Sequence, residues 1–350
     1  MTIEITPQQA KGRIAAHVRA GLVTFLKGPP GTAKSAIVQE IADEYNLKLI
    51  DLRLAQCDVT DLLGFPYIDK ERMRARYVPM ETFPLETDPL PVDANGKQMS
   101  GWLLFLDEFN SADRDIQKGA YKLIHEKVIG NVPLHKKVAI VAAGNREIDG
   151  AIVEEMSSAL RSRLIHLNIR PDNKDWLAWA RNVGIDVRIT SFIEWKPNRL
   201  YTFDPAAGDA QETYACYRTW DYTNRLISGI TDLTKEPDLL PSLAGTLSEG
   251  VAREFLAYLK NFSNLPKLSQ IIANPEGIPL PKEPGTQYAI TGAIGANAND
   301  QNIDPLMRFV ERLPVEFQII TLREVVRRQP ALMQAPRVQA WQRANAKELI

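Results

Sequence analysis

One stretch near the start constrains the chain more than any other. Leu22 to Leu26 is a compact run of apolar and β-branched residues, the pattern of a buried strand. It leads through Lys27 into Gly28-Pro29-Pro30-Gly31-Thr32-Ala33-Lys34-Ser35. Residues 33–45 then take up a helical period, with Ile37, Val38 and Ile41 on one face. Strand, glycine-rich turn and helix N-terminus in that order make a phosphate loop. The backbone N–H groups of the turn converge into an anion nest, and the positive end of the helix dipole adds to it. Gly28 through Ser35 would then cradle a polyphosphate, with Lys34 reaching its β- and γ-phosphates. The Ser35 hydroxyl would ligate Mg²⁺. Ala33 stands where the general pattern has glycine; it opens the helix without strain if its φ is negative.

Further apolar runs supply the rest of a sheet. Leu47 to Leu54, Trp102 to Leu106, Val138 to Ala143 and Leu164 to Ile169 read as strands. Residues 7–20 and 113–126 read as helices, the first opened by Thr6-Pro7. Strands alternating with helices specify an α/β fold, a parallel sheet covered on both faces. The strand Trp102–Leu106 ends in Asp107-Glu108, at the edge where open α/β sheets hold ligands. Asp107 would orient Mg²⁺, and Glu108 would act as general base on an attacking water. Val138–Ala143 leads to Asn145, an amide able to hydrogen-bond that water or the γ-phosphate. Before the last strand lie Arg161 and Arg163, and further on Arg218 in Tyr217-Arg218-Thr219-Trp220.

After Arg170-Pro171 helical periods take over, with no strand pattern between 174 and 260. Residues 265–284 are proline-rich, and 303–348 are helical again. This divides the chain into an α/β part over 1–170, a helical part over 171–264, which the resemblance named below makes a lid, and a helical C-terminal extension over 265–350. Residues 61–101 read as an irregular insert. They carry Lys70, Arg72, Arg74 and Arg76 with Phe65, Tyr67 and Tyr77 between them. Such a stretch is either a contact for an acidic partner or nucleic acid, or a solvated hairpin with a few packed aromatics.

Composition excludes several classes. With 42 Lys+Arg against 43 Asp+Glu, the net charge of −1 argues against a generally basic nucleic-acid binder. No run approaches the ~18–20 apolar residues of a membrane span, and the N-terminus has no signal-peptide core. Cys57 and Cys216 are too few for a disulfide framework. The chain therefore reads as cytoplasmic with reduced thiols. The histidines lack metal-ligand spacing. Trp176 and Trp179 read as lid core, and Arg323, Arg327, Arg328, Arg337 and Arg343 as a solvated helix face.

In their order, GPPGTAKS, WLLFLDEFNSADRDIQKGAYKLI, IVAAGNREIDGA, ALRSRLIHL and YRTWDYTNRL resemble the AAA+ ATPases, and among them the helix-2-insert branch of the MoxR family. The resemblance implies an AAA+ P-loop NTPase core with a C-terminal α-helical lid, binding ATP and Mg²⁺. It makes Lys34 and Ser35 Walker A, Asp107 and Glu108 Walker B, and Asn145 sensor 1. Arg163 matches the arginine finger, with Arg161 a second candidate and Leu164 in place of the family's usual Phe. Arg218 matches the sensor 2 arginine, with Tyr217 in place of the usual proline. The resemblance further implies a ring homo-oligomer, a hexamer, that remodels or activates a partner protein, such as one with a von Willebrand factor A domain. Two other readings use the same core: a nucleic-acid translocase or restriction-type motor, and a nucleotide-gated scaffold with slow hydrolysis.

Overall fold

A computed structural model describes residues 3–345, apart from 72, 151–152, 231, 237 and 264. It divides into two units, Met1–Asp175 with Asp204–Ala210, and Trp176–Phe203 with Gln211–Ile350.

In the first unit the strands are β1 (Glu4–Ile5), β2 (Val23–Lys27), β3 (Leu47–Arg53), β4 (Phe65–Asp69), β5 (Arg74–Val78), β6 (Gly101–Asp107), β7 (Val128–Ile129), β8 (Val132–Pro133), β9 (Val138–Gly144) and β10 (Leu164–Ile169). The helices are α1 (Pro7–Arg19), α2 (Lys34–Glu44), α3 (Val59–Leu63), α4 (Arg114–Glu126) and α5 (Ser158–Arg161). Six strands form one sheet in the order β1-β10-β2-β9-β6-β3, and every pairing in it is parallel. A parallel sheet has both faces buried, and its central strands β2, β9 and β6 are accordingly almost wholly apolar. Alternate residues of β6 show this: Leu103 and Phe105 pack with Ile37, Val38 and Ile41 of α2. Leu104 and Leu106 face the other way, toward Ile116, Ala120 and Leu123 of α4. Helix α1 starts at a capping box, Thr6 with Gln9, and at Pro7, which needs no N–H partner.

Several elements escape the sequence patterns. β1 has only two residues, too few to show a period. Inside the stretch read as irregular, β4 and β5 form an antiparallel hairpin that pairs Phe65 with Val78 and Asp69 with Arg74. The hairpin is solvated as one of the two readings had it, but its aromatics are not packed. Phe65, Tyr67 and Tyr77 are 56%, 56% and 43% exposed, and Arg76 is held by Asp69 at 2.6 Å. Arg72 lies outside the described residues.

The second unit takes over within α6 (Asn173–Asn182) and is helical: α7 (Val187–Trp195), α8 (Tyr217–Ile227), α9 (Leu239–Leu247), α10 (Glu249–Ser263), α11 (Leu268–Ala273), α12 (Pro284–Asn297), α13 (Ile303–Val310), α14 (Val315–Arg328) and α15 (Pro336–Ala344). Trp176 is buried and stacks loosely on Trp179 and Tyr217. The arginines of 323–343 are not one solvated face. Arg337 pairs with Glu311 at 2.6 Å, Arg328 with Glu324 at 3.5 Å, and Arg327 donates to Ala178 O at 2.6 Å. No described helix is long and apolar enough to cross a membrane.

Candidate active site

Strand order decides what can meet. β9 lies between β2 and β6, so the three segments leaving the C-terminal ends of these strands are neighbours. Gly28–Ser35 follows β2, Asp107 ends β6, and Asn145 follows β9. The register agrees, with Lys27 beside Gly144 and Leu106 beside Ala142.

The loop after β2 approaches β10 closely. A Cβ on Gly28 would come within 2.3 Å of Ile169 Cγ1, so only glycine fits there. Thr32 Oγ1 donates to Pro29 O at 2.7 Å and closes the turn. Ala33 has φ 62° and ψ 28°, the left-handed region, and not the negative φ that strain-free alanine requires. The glycine of the general pattern suits that backbone better. Lys34 Nζ donates to Gly28 O at 2.9 Å, Pro29 O at 3.1 Å and Asn145 Oδ1 at 3.0 Å. Ser35 Oγ donates to Asp107 Oδ2 at 2.9 Å. A hydroxyl and a carboxylate so placed, beside a nest of N–H groups, fit a hard divalent cation held with a polyphosphate.

Glu108 also sits at positive φ, 54°. A non-glycine residue is held there only where its surroundings demand it. Its N–H donates to Asp107 Oδ1 at 2.9 Å, and its carbonyl accepts from Ser111 N at 2.9 Å.

Two residues here escaped the sequence reading. Asp51 of β3 shares a face with Leu47 and Leu49, the face of Asp107 in the neighbouring strand. Its carboxyl is pushed above the ordinary range, first by desolvation and then by Asp107, with Arg53 opposing. The switch from Leu47 and Leu49 to Asp51 and Arg53 at period two was the available signal. Asn110, two positions after Glu108, is 7% exposed and hydrogen-bonded to Asn145. Its neighbour Phe109 is buried, which marks this turn as interior.

The arginines lie elsewhere. Arg163 immediately precedes β10, whose first residue pairs with Val23 at the start of β2. It is thus at the opposite edge of the sheet from Lys34, separated by the length of β2, about 16 Å at ~3.3 Å per residue. Its guanidinium lies 4.7 Å from the Tyr121 ring centroid, and Nη1 donates to Ala159 O at 2.8 Å. Arg161 is exposed, its nearest carboxylate Glu155 at 3.8 Å. Arg218, in the second unit, is exposed in the first turn of α8, where the helix dipole disfavours a cation.

Residues 23–164 match the family model of the AAA domain (dynein-related subfamily). That span takes in every candidate residue above except Arg218. A search of curated proteins returns no match. Among solved structures, the chain is similar to the RuvB Holliday junction branch migration motor of Thermotoga maritima, with 17% identity over 83% of this chain and 80% of that one, at a TM-score of 0.35. A proline-to-glycine variant of the same RuvB gives 16% identity over 86% and 87%, at a TM-score of 0.37. These superpositions are loose, and the assignment rests on the family model. The first unit carries an AAA+ P-loop NTPase fold, and the chain is an ATPase.

Proposed function

We propose that the chain is a MoxR-type AAA+ motor, which hydrolyses ATP in a ring of its own copies and uses the cycle to remodel or activate a partner protein. The observation that carries the hydrolytic part is the meeting of Lys34 with Asn145 and of Ser35 with Asp107 at one sheet edge. Lys34 and the loop N–H groups bind the β- and γ-phosphates. Ser35 and Asp107 would hold Mg²⁺, which neutralises charge on the phosphate oxygens. Glu108 takes a proton from water as its oxygen attacks the γ-phosphorus. The bond from that phosphorus to the bridging oxygen breaks, and ADP and phosphate leave. Asn145 orients the water.

Assembly is favoured by the position of Arg163. At the far edge of the sheet it cannot reach its own Lys34, so as a finger it serves the γ-phosphate of an adjacent protomer. Arg218 would close on the nucleotide as the lid's sensor. The ring is taken as a hexamer by family resemblance. The same resemblance points to a partner with a von Willebrand factor A domain.

The test pairs turnover with binding. Glu108→Gln should retain ATP and lose at least 100-fold in turnover, the scale of a general base, and EDTA should stop the wild type. Full ATPase activity in Glu108→Gln would sink the assignment. Nucleotide-dependent capture of a co-expressed von Willebrand factor A protein tests the partner. One observation favours a nucleic-acid motor instead. The β4–β5 hairpin exposes Phe65, Tyr67 and Tyr77 beside Lys70 and Arg74, the elements of a stacking surface for single strands. Stimulation of turnover by single-stranded DNA at stated salt, without a protein partner, would move the reading there.

A further inference from the structure

We infer that Asn110 is a positioning residue for hydrolysis, a single side chain that sets the Glu108 turn against Asn145. The inference rests on the roles proposed for those two residues and adds the device that holds them in register.

The geometry is reciprocal. Asn110 Nδ2 donates to Asn145 O at 2.8 Å, and Asn110 Oδ1 accepts from Asn145 N at 3.1 Å. One amide thus satisfies both backbone groups of the residue leaving β9, as a neighbouring strand would. β6 and β9 pair only as far as Leu106 and Ala142, so the side chain carries the coupling past the point where strand pairing stops. The backbone of Asn110 is held as well, since its carbonyl accepts from Glu154 N at 2.7 Å.

Two further observations show the space was made for this contact. Gly144, the last residue of β9, has no Cβ where one would lie 1.9 Å from Asn110 Oδ1. Its φ is not positive, so the close approach and not the backbone requires glycine. On the other side, Glu108 is held at φ 54° two residues before Asn110, with Phe109 fully buried between them. A strained residue keeps its conformation only while both ends are fixed. Phe109 anchors the turn in the core, and Asn110 fixes its far end to β9. From Asn145 the chain of contacts continues through Oδ1 to Lys34. The base, the water-orienting amide and the phosphate-binding lysine are therefore linked through one buried side chain.

Positioning has a consequence that packing alone does not: the chemical step suffers while nucleotide binding is spared. In the full-length protein, Asn110→Asp keeps size and the Oδ1 acceptor but faces Asn145 O with a carboxylate oxygen in place of the donor. It should lower kcat at least 20-fold while the Kd for a fluorescent ATP analogue stays within threefold of wild type. Asn110→Ala should do the same. Gly144→Ala should reproduce the kcat loss by displacing Oδ1, though its Cβ also meets Phe25 Cζ at 3.0 Å, and Asn110→Ala with Gly144→Ala together should lose less than the product of the two single losses, because both strike the Asn110 contact. Circular dichroism and the analogue Kd show that each variant is folded, and Asn110→Asp keeps the test open if Asn110→Ala does not fold. Wild-type kcat in Asn110→Asp, or strictly multiplicative losses in the double variant, overturns the inference. Glu108→Gln is assayed alongside. If it turns over ATP normally the proposed base is wrong, whereas an inactive Glu108→Gln beside a fully active Asn110→Asp removes the Asn110 inference alone.

Discussion

The ammonium of Lys34 and the side-chain oxygen of Asn145 are hydrogen-bonded at 3.0 Å across two strands of the sheet. The contact ties the loop after β2 to Asn145, the residue proposed above to report on the γ-phosphate. Lys34 has three N–H donors, and besides Asn145 it reaches the carbonyls of Gly28 and Pro29. A γ-phosphate must therefore compete with Asn145 for the lysine. On the proposed mechanism, Lys34 would turn to the phosphate and release the Asn145 amide toward the attacking water. Asn145→Ala should then lower kcat about tenfold or more without weakening ATP binding, on the scale of a lost orienting contact. Lys34→Ala should lose binding itself. Steady-state turnover beside nucleotide titration separates the two, and a tenfold weaker Kd in Asn145→Ala would contradict the argument.

Ala33 gives a prediction of opposite sign. A left-handed conformation costs an L-residue about 1–2 kcal/mol. Glycine avoids that cost but gives back about 0.5–1 kcal/mol in chain entropy. Ala33→Gly should therefore unfold at the same temperature as wild type or slightly above, with ATP affinity retained. Ala33→Val puts a branched Cβ at φ 62°, and should lose both stability and nucleotide. Thermal unfolding with and without ATP reads both. A marked drop in Ala33→Gly would mean that the methyl group packs against something the backbone does not reveal.

Arg163 and Arg161 are distinguishable by the same logic. Arg163 is fixed on Tyr121 and by Ala159 O, while Arg161 is exposed and loosely placed near Glu155. A side chain that must meet a neighbour's phosphate gains from being held in place beforehand. Arg163→Ala should cut turnover by about 1,000-fold or more, the range of arginine fingers, and Arg161→Ala by less than threefold. Mixing Arg163→Ala with Glu108→Gln protomers should restore part of the activity, since mixed interfaces then hold one intact base and one intact finger. No recovery on mixing, with each variant assembled, would argue against a shared site.

The parts of this molecule legible in its sequence are those with local causes. The loop 28–35 carries its chemistry in consecutive residues, and the strands leading to Lys27, Asp107 and Asn145 are apolar runs that no other element type explains. The roles of Asp51 and Asn110 were not legible, because each depends on a neighbour distant in the chain, whereas the left-handed Ala33 was foreshadowed by the glycine of the general pattern. Asp51 gains its meaning from Asp107 across β3 and β6. Asn110 gains it from Asn145, 35 positions on. The β4–β5 hairpin was only one of two readings of its stretch, and its strands could not be bounded, because with nearly every residue exposed there is no buried side to impose alternation.

The second unit holds a buried charge cluster whose behaviour follows from its count. Arg181 is paired with both Glu194 and Glu324, and Arg327 and Arg328 lie at its margin. Burial raises the Glu194 carboxyl above its ordinary range, with Arg181 pulling it back and Glu324 pushing it further up. A carboxyl raised in the fold binds its proton more tightly there than in the unfolded chain. Its contribution therefore favours the fold below the unfolded value and declines as pH rises toward the folded one. Removing Arg181 leaves two carboxylates in one poorly solvated place. Arg181→Met should lose about 3–5 kcal/mol at pH 7, the cost of breaking a buried pair, and the loss should shrink as pH falls toward 5 and Glu194 takes up a proton. Glu194→Gln leaves a one-to-one pair between Arg181 and Glu324, and should stay within about 1 kcal/mol of wild type at pH 7. Urea unfolding followed by tryptophan fluorescence reports on this unit, because it holds Trp176, Trp179, Trp195, Trp220 and Trp341, five of the six in the chain. A loss in Arg181→Met that is the same at pH 5 and pH 7 would mean that Glu194 takes up no proton across that window.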